Sequence, residues 1–181
     1  SIVDDGDLQP AVLWSLAFDS AGRRNEVYQV KKQGLLDGNK TNIVIGKRGK
    51  SFPLVYLDDT KELIRQYLDQ RGDDDIDSLW ISPSGTPVSS ESLYYRIAEK
   101  CNKILSSIRG EETQIFFHTI RHSRIECLVQ GTDDRLKDKN GNNRKYPIEQ
   151  VKVLAHHEDL STTESYTKNH DEDTINEMFG F

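Results

Sequence analysis

The sequence predicts an α+β chain, predominantly helical, with one small antiparallel β-sheet. Three observations carry this expectation. The run Pro10–Phe18 (PAVLWSLAF) is apolar and places proline where a first helical turn tolerates it. Several later segments space apolar residues three and four apart, the period of a helix. A pair of β-rich runs, Asn42–Ile45 and Ser51–Leu57, flanks the turn Gly46-Lys47-Arg48-Gly49, a hairpin signal. The length, 181 residues, suits one compact domain or at most two small ones.

In chain order, Pro10–Phe18 reads as a buried helix broken by Ser20-Ala21-Gly22. Arg24–Lys31 reads as a second, short helix with Val27 and Val30 inward. In the hairpin that follows, Pro53 marks an edge strand, because proline donates no ladder hydrogen bond. Asp58 or Asp59 is placed to cap a helix continuing through Lys61 to Gln70, with Leu63, Ile64, Tyr67 and Leu68 in helical register. Gly72–Asp77 is an acidic loop, Leu79–Ile81 a short apolar segment and Ser82–Val88 a turn. Ser89 or Ser90 caps a helix from Glu91 to about Ile108, whose apolar face carries Leu93, Ile97, Cys101, Ile104 and Leu105. Residues 118–131 form a helix ended by Gly131. Thr132–Tyr146 is polar, with Gly141 among three asparagines, and reads as a flexible surface insertion. Pro147 opens a helix to about Ala155, a helix or turn carries residues 161–166, and Ile175, Met178, Phe179 and Phe181 form an apolar tail. There is no internal repeat.

Composition narrows the class. Hydrophobic residues make up 35% and charged residues 30%, polar for a globular chain without being that of a disordered one. No stretch approaches the roughly 18 consecutive apolar residues of a membrane span. The opening SIVDDGDLQP has no basic-then-apolar leader, and Cys101 and Cys127 form neither a disulfide framework nor a CxxC pair. The expected setting is a reducing cytoplasm, with both thiols as buried small apolar groups. The formal charge of −6 is unevenly spread. Arg23–Lys50 holds eight Lys/Arg against Glu26 and Asp37, whereas the 24 residues from Glu158 hold seven acids against Lys168, and Asp69–Asp77 adds a further acidic cluster. An acidic total therefore does not exclude DNA as a partner.

Individually, the candidate chemical groups have ordinary readings. His118 and Arg121 are three apart on a helix and share a face, a useful pair for a phosphodiester, since guanidinium binds two phosphate oxygens at once. Such pairs are also common as surface or capping groups. His118 and His122 have metal-type spacing, but no third ligand is suitably placed and no metal is expected. Arg23-Arg24 reads as a solvated helix end, Lys47 as a hydrophilic turn residue, and His156-His157 as surface decoration. Tyr166 is one of seven tyrosines, most of which serve packing.

Their order and spacing say more. AFDSAGRRNEV, VIGKRGKSFPL, FHTIRHSRIECLVQG and LAHHEDLSTTESYT together resemble the catalytic domain of the tyrosine recombinases, the phage integrase and Xer-like family, from about residue 10 to 170. The resemblance implies that family's catalytic-domain fold over residues 1–181, without the N-terminal core-binding domain that completes the family's clamp on DNA. By position it implies catalytic roles for Arg23, Lys47, His118, Arg121, His157 and Tyr166, with Glu26 supporting Arg23 and with Arg24, Arg48 and Lys50 as DNA contacts. The implied activity is site-specific recombination or integration through a 3′-phosphotyrosyl intermediate, without metal, ATP or other cofactor. Double-stranded DNA, further copies of the chain in a tetramer, and accessory directionality proteins are the implied partners. His156 departs from the pattern by standing where the family has glycine. A non-catalytic DNA-binding repressor on the same fold is the rival reading. It gives no physical reason to keep two arginines, a lysine, two histidines and a tyrosine in register.

Overall fold

The computed structural model describes residues 6–156 and 164–181, excepting the side chains of 96–98, 101, 105 and 164–170. About half of the chain is helical, and the described residues contain a single two-stranded sheet. In order the elements are α1 (Gln9–Ser20), α2 (Arg24–Tyr28), β1 (Lys40–Ile45), β2 (Ser51–Val55), α3 (Asp58–Arg71), α4 (Ser90–Arg109), α5 (Phe117–Gln130), α6 (Ile148–Leu154) and α7 (Glu164–Phe179). The expected α+β class, mostly helical with one small antiparallel sheet, is the class observed. The chain divides into two compact units, Ser1–Ile120 and Arg121–Phe181.

The core of the first unit gathers Val12, Leu13, Leu16 and Ala17 from α1 with Val27, Val44, Phe52, Leu54, Tyr56, Ile64, Trp80 and Leu93. Trp80 is fully buried, and its indole N–H donates to the Val27 carbonyl at 2.8 Å. That bond adds a tertiary donor to a carbonyl that also accepts from the Val30 N–H, and it ties down α2, a helix too short to hold itself. Helix α2 is shorter than expected, and Val30, just beyond it, is buried as the apolar spacing requires. Strands β1 and β2 pair antiparallel with Val44 opposite Phe52 and Ile45 opposite Ser51, and Pro53 lies on an edge of this two-stranded sheet.

Two helix starts illustrate local and non-local capping. Ser89 caps α4 by accepting from the Ser92 N–H at 3.2 Å, as its residue type predicts. Asp58 and Asp59 do not cap α3. Its N-cap is Leu57, whose N–H reaches the carboxylate of Asp19 on α1 at 2.9 Å. Thr60 donates to the same oxygen at 2.6 Å. Asp19 is buried, so this cap both starts α3 and fastens it to α1. The acidic loop after α3 is also tied down. Asp74 accepts from Arg71 and Lys32, which hold its carboxyl far below the usual range.

In the second unit, residues 132–146 are an ordered segment, not the flexible insertion their composition predicts. Arg124, fully buried on α5, bonds Asp133 at 2.5 Å, and Arg135 reaches the same carboxylate at 2.9 Å. The Tyr146 hydroxyl donates to the Met178 carbonyl at 2.8 Å, and the Tyr146 N–H donates to Leu128 at 3.0 Å. Polar composition alone does not reveal that one buried ion pair and one buried tyrosine anchor both ends of a loop. Met178 and Ile175 are buried, so the end of α7 packs within its own unit. Cys127 is half-buried, more exposed than expected, and the Cys101 side chain lies outside the described residues.

Candidate active site

The first candidate side chain is set by the start of α2. Arg23 is the N-cap of that helix and Glu26 its third residue. One Glu26 carboxylate oxygen accepts from the Arg23 backbone N–H at 2.8 Å; the other accepts from Arg23 Nη1 at 3.1 Å. The carboxylate thus caps the helix and orients the guanidinium with the same group. The Glu26 side chain is 3% exposed and that of Arg23 33%, so a buried anion holds a cation that still faces outward.

The hairpin is docked on the same element. Gln29, at the end of α2, donates to the Ile45 carbonyl at 2.9 Å and accepts from the Ile45 N–H at 2.8 Å. Its carboxamide takes the place of a neighbouring strand on the outer edge of β1. Asn42 adds a second clamp, accepting from the Lys31 N–H at 2.8 Å and donating to the Gln29 carbonyl at 3.2 Å. Next to Ile45, Gly46 lies so close to the site that a Cβ there would come within 2.8 Å of the Phe52 ring and 3.0 Å of Glu26 Oε1. The hairpin root therefore lies against the carboxylate that orients Arg23. A single 3₁₀ turn, Lys47–Gly49, follows, closed by a Gly46 N–H to Lys50 carbonyl bond of 2.7 Å. Lys47, Arg48 and Lys50 are all exposed at this tip. The first unit thus places Arg23, Glu26 and the Lys47 hairpin on elements joined by named hydrogen bonds. Sequence reasoning misses Gln29 and Asn42, because an amide becomes a positioning group only through a partner sixteen or eleven residues away.

His118 is exposed on the first turn of α5, with its ring stacked on Phe116 at 5.4 Å between centroids. Arg24 extends over the ring of Tyr94, its guanidinium carbon 5.7 Å from the centroid.

In the second unit, Arg121 is buried and its Nη2 donates to the carbonyl of Ala155, the C-cap of α6. A guanidinium at that end suits the negative pole of the helix. The next residue, His156, has φ +51°, the left-handed conformation that glycine takes without strain. His156 is buried. His157 lies outside the described residues, as does the side chain of Tyr166; the backbone of Tyr166 falls in the first turn of α7. Among the other tyrosines, burial pushes the phenols of Tyr56, Tyr67 and Tyr146 above the ordinary value. Each donates to a backbone carbonyl, of Leu35, Leu79 and Met178 respectively. A phenol so placed is a packing group and a poor nucleophile. Among the described residues no cluster of His, Cys, Asp and Glu is arranged to hold a metal ion. Nor is any described helix long and apolar enough to cross a membrane.

The fold is similar to that of a solved recombinase. The crystal structure of XerA recombinase matches 96% of this chain and 59% of its own, with a TM-score of 0.55 and 15% identity. In sequence, the chain is 26% identical over 170 residues to the tyrosine recombinase XerC of Neisseria meningitidis serogroup B (strain ATCC BAA-335 / MC58), covering 92% of this chain and 50% of that protein. No protein-family model matches the chain. The sequence likeness and the shared fold support a relationship to the tyrosine recombinase family. The chain spans about half the length of the curated relative it matches.

Proposed function

We propose that residues 1–181 are the catalytic domain of a site-specific DNA recombinase that cuts and rejoins strands through a tyrosine. The observation that carries this reading is the Arg23–Glu26 pair with the Lys47 hairpin docked against it through Gln29 and Gly46. A helix start that serves only as a helix start does not need a buried carboxylate aiming a guanidinium outward. Likeness to XerC over nearly the whole chain supports the same reading.

In the proposed reaction the Tyr166 hydroxyl attacks the scissile phosphate. A P–O bond to tyrosine forms, the bond to the 5′-oxygen breaks, and a 3′-phosphotyrosyl link and a 5′-hydroxyl result. A phenol of ordinary pKa near ~10 must shed its proton as it attacks, and His118 receives it. Arg23 and Arg121 hold the non-bridging oxygens as their charge grows. Lys47 supplies the proton that the departing 5′-oxygen takes, and His157 donates a hydrogen bond to the phosphate. The covalent link retains the energy of the broken phosphodiester, so a 5′-hydroxyl from a second duplex reverses the step without ATP. Arg24, Arg48 and Lys50 add backbone contacts to double-stranded DNA. Two duplexes and four copies of the protein complete an exchange.

The test is full-length protein incubated with nicked duplex from its own genetic neighbourhood, with Tyr166→Phe alongside. An SDS-resistant, protease-sensitive adduct on the 3′ side, absent only from the variant, supports the recombinase and identifies its nucleophile. Tight, salt-sensitive binding without an adduct from either protein supports a DNA-binding repressor on the same fold.

A further inference from the structure

Within the first unit, four side chains from three separate elements form one continuous stack. The His118 and Phe116 rings are nearly parallel, 5° apart with centroids at 5.4 Å. Phe116 in turn lies 14° from parallel with Tyr94, at 6.0 Å. The guanidinium of Arg24 covers the Tyr94 ring at 5.7 Å, and Tyr95 meets that ring edge-on at 5.5 Å. Arg24 opens α2, Tyr94 sits on α4, and Phe116 and His118 straddle the start of α5.

This stack does more than fill space. His118 is exposed, and an exposed imidazole ordinarily samples several χ1 wells and a broad χ2 range. Here one face rests on a half-buried phenyl ring, which fixes the plane of the imidazole. Phe116 is itself anchored: the N–H of its neighbour Ile115 donates to Asn102 of α4 at 2.6 Å. The chain of contacts then runs through Tyr94 to Arg24, the residue next to Arg23. The imidazole and the helix that Arg23 caps are thus linked through one column of stacked side chains.

We propose that Phe116 and Tyr94 are positioning residues for His118, holding its ring in the orientation that accepts the proton of the nucleophile. The proposal rests on the recombinase reading for the role of His118, whereas the stack itself can be observed without activity. Positioning of this kind raises a rate by pre-setting geometry and leaves DNA affinity largely unchanged.

The experiment uses the full-length protein with Phe116→Leu, Phe116→Tyr, Tyr94→Leu and Tyr94→Phe. Two readouts are taken: single-turnover cleavage of a nicked duplex, and the ring-proton NMR resonances of His118, assigned by their loss in His118→Gln. Ring currents from Phe116 place those resonances upfield in the wild type and in Phe116→Tyr, and the shift is lost in Phe116→Leu. Cleavage falls about tenfold in Phe116→Leu and recovers to within about twofold in Phe116→Tyr, at unchanged DNA binding. Tyr94→Leu gives a smaller loss, and Tyr94→Phe none. In a His118→Gln background, Phe116→Leu has no further effect, a coupling that a merely structural role would not produce. Wild-type cleavage matched by Phe116→Leu, or equal losses with and without His118, overturns the positioning role alone. An upfield-shifted His118 in a wild-type protein that forms no adduct overturns the recombinase reading, and the catalytic role of the stack with it.

Discussion

Replacing Glu26 with glutamine tests the arrangement around Arg23 with the smallest change of shape. The two carboxylate oxygens accept from two different donors, the Arg23 N–H at 2.8 Å and Nη1 at 3.1 Å. A carboxamide has one acceptor and one donor, so in either orientation an N–H group faces another N–H. It cannot swing away, because the hairpin root at Gly46 confines it and the side chain is 3% exposed. One hydrogen bond is lost and the surviving one no longer has an anionic acceptor, a change of about 1.5–3 kcal/mol. The Arg23 side chain is one-third exposed, so water screens part of that loss and about 2 kcal/mol is expected. Urea denaturation of Glu26→Gln measures it directly. The same variant releases the guanidinium from its fixed direction, and single-turnover cleavage should fall about 10–100-fold, the scale of a small misplacement at a reacting centre. Arg23→Lys should lose at least as much, because an ammonium cannot bind both Glu26 and a phosphate in the guanidinium's planar geometry. Wild-type stability together with wild-type cleavage in Glu26→Gln would refute the claim that this carboxylate positions Arg23.

The remaining predictions address other parts of the two units. Gly46→Ala drives a methyl group into the Phe52 ring and should cost about 1–3 kcal/mol, read by thermal denaturation; a silent substitution would mean that the hairpin root is looser than the 2.7–2.8 Å approach implies. Burial alone would raise the carboxyl of Asp133, but hydrogen bonds from Arg135 and Arg124 outweigh it and bring the value down to about 2 from 3.8. Its folded value is depressed, so its stabilisation, about 2 kcal/mol, is complete above roughly pH 5 and disappears as the pH falls toward 2. The stability difference between wild type and Asp133→Asn should shrink over that range, and a difference independent of pH would rule out the ion pair as its source. At His156, glycine should be more stable than alanine by about 1 kcal/mol, since alanine retains the left-handed strain at φ +51°; equal stabilities would place the backbone elsewhere. Replacing Lys47, Arg48 and Lys50 with glutamine should make the dependence of log K on log salt shallower, by about 0.9 for each phosphate that the hairpin tip neutralises. An unchanged slope would remove the tip from the DNA interface.

What is legible in the sequence is mainly what is local. Ser89 capping α4, Pro10 in the first turn of α1, Gly131 after α5 and the Gly46–Gly49 hairpin turn each depend on a few neighbouring residues. The Arg23-x-x-Glu26 pair is legible only through the family resemblance, since by itself Arg23-Arg24 reads as a solvated helix end. Asp19 capping α3 is not, because its partner lies 38 residues away and Asp58 and Asp59 offer a nearer explanation. Residues 132–146 mislead because composition counts polar groups without showing which are buried against each other, and there Arg124 and Asp133 decide the outcome. Gln29 gives no local signal at all. Its meaning comes from being within reach of both backbone groups of Ile45. The Phe116–His118 stack is close in sequence but escapes helical-face reasoning, because Phe116 precedes the helix.

A net charge of −6 is compatible with the proposed DNA substrate for a structural reason. At physiological salt a phosphate senses charges within about 8–10 Å, not the sum over a chain. Part of the acidity of the first unit is internally offset: Asp74 is held by Arg71 and Lys32. Glu26 is spent on Arg23. The exposed cations of the hairpin tip, Lys47, Arg48 and Lys50, stand on a turn whose root is fixed by uncharged amides. Docking the hairpin through Gln29 and Asn42 adds no negative charge of its own beneath the tip, as the proposed phosphate contacts would require. An acidic chain can in this way present a locally basic face, because the carboxylate at the hairpin root, Glu26, is paired with Arg23 and the other docking groups there are amides.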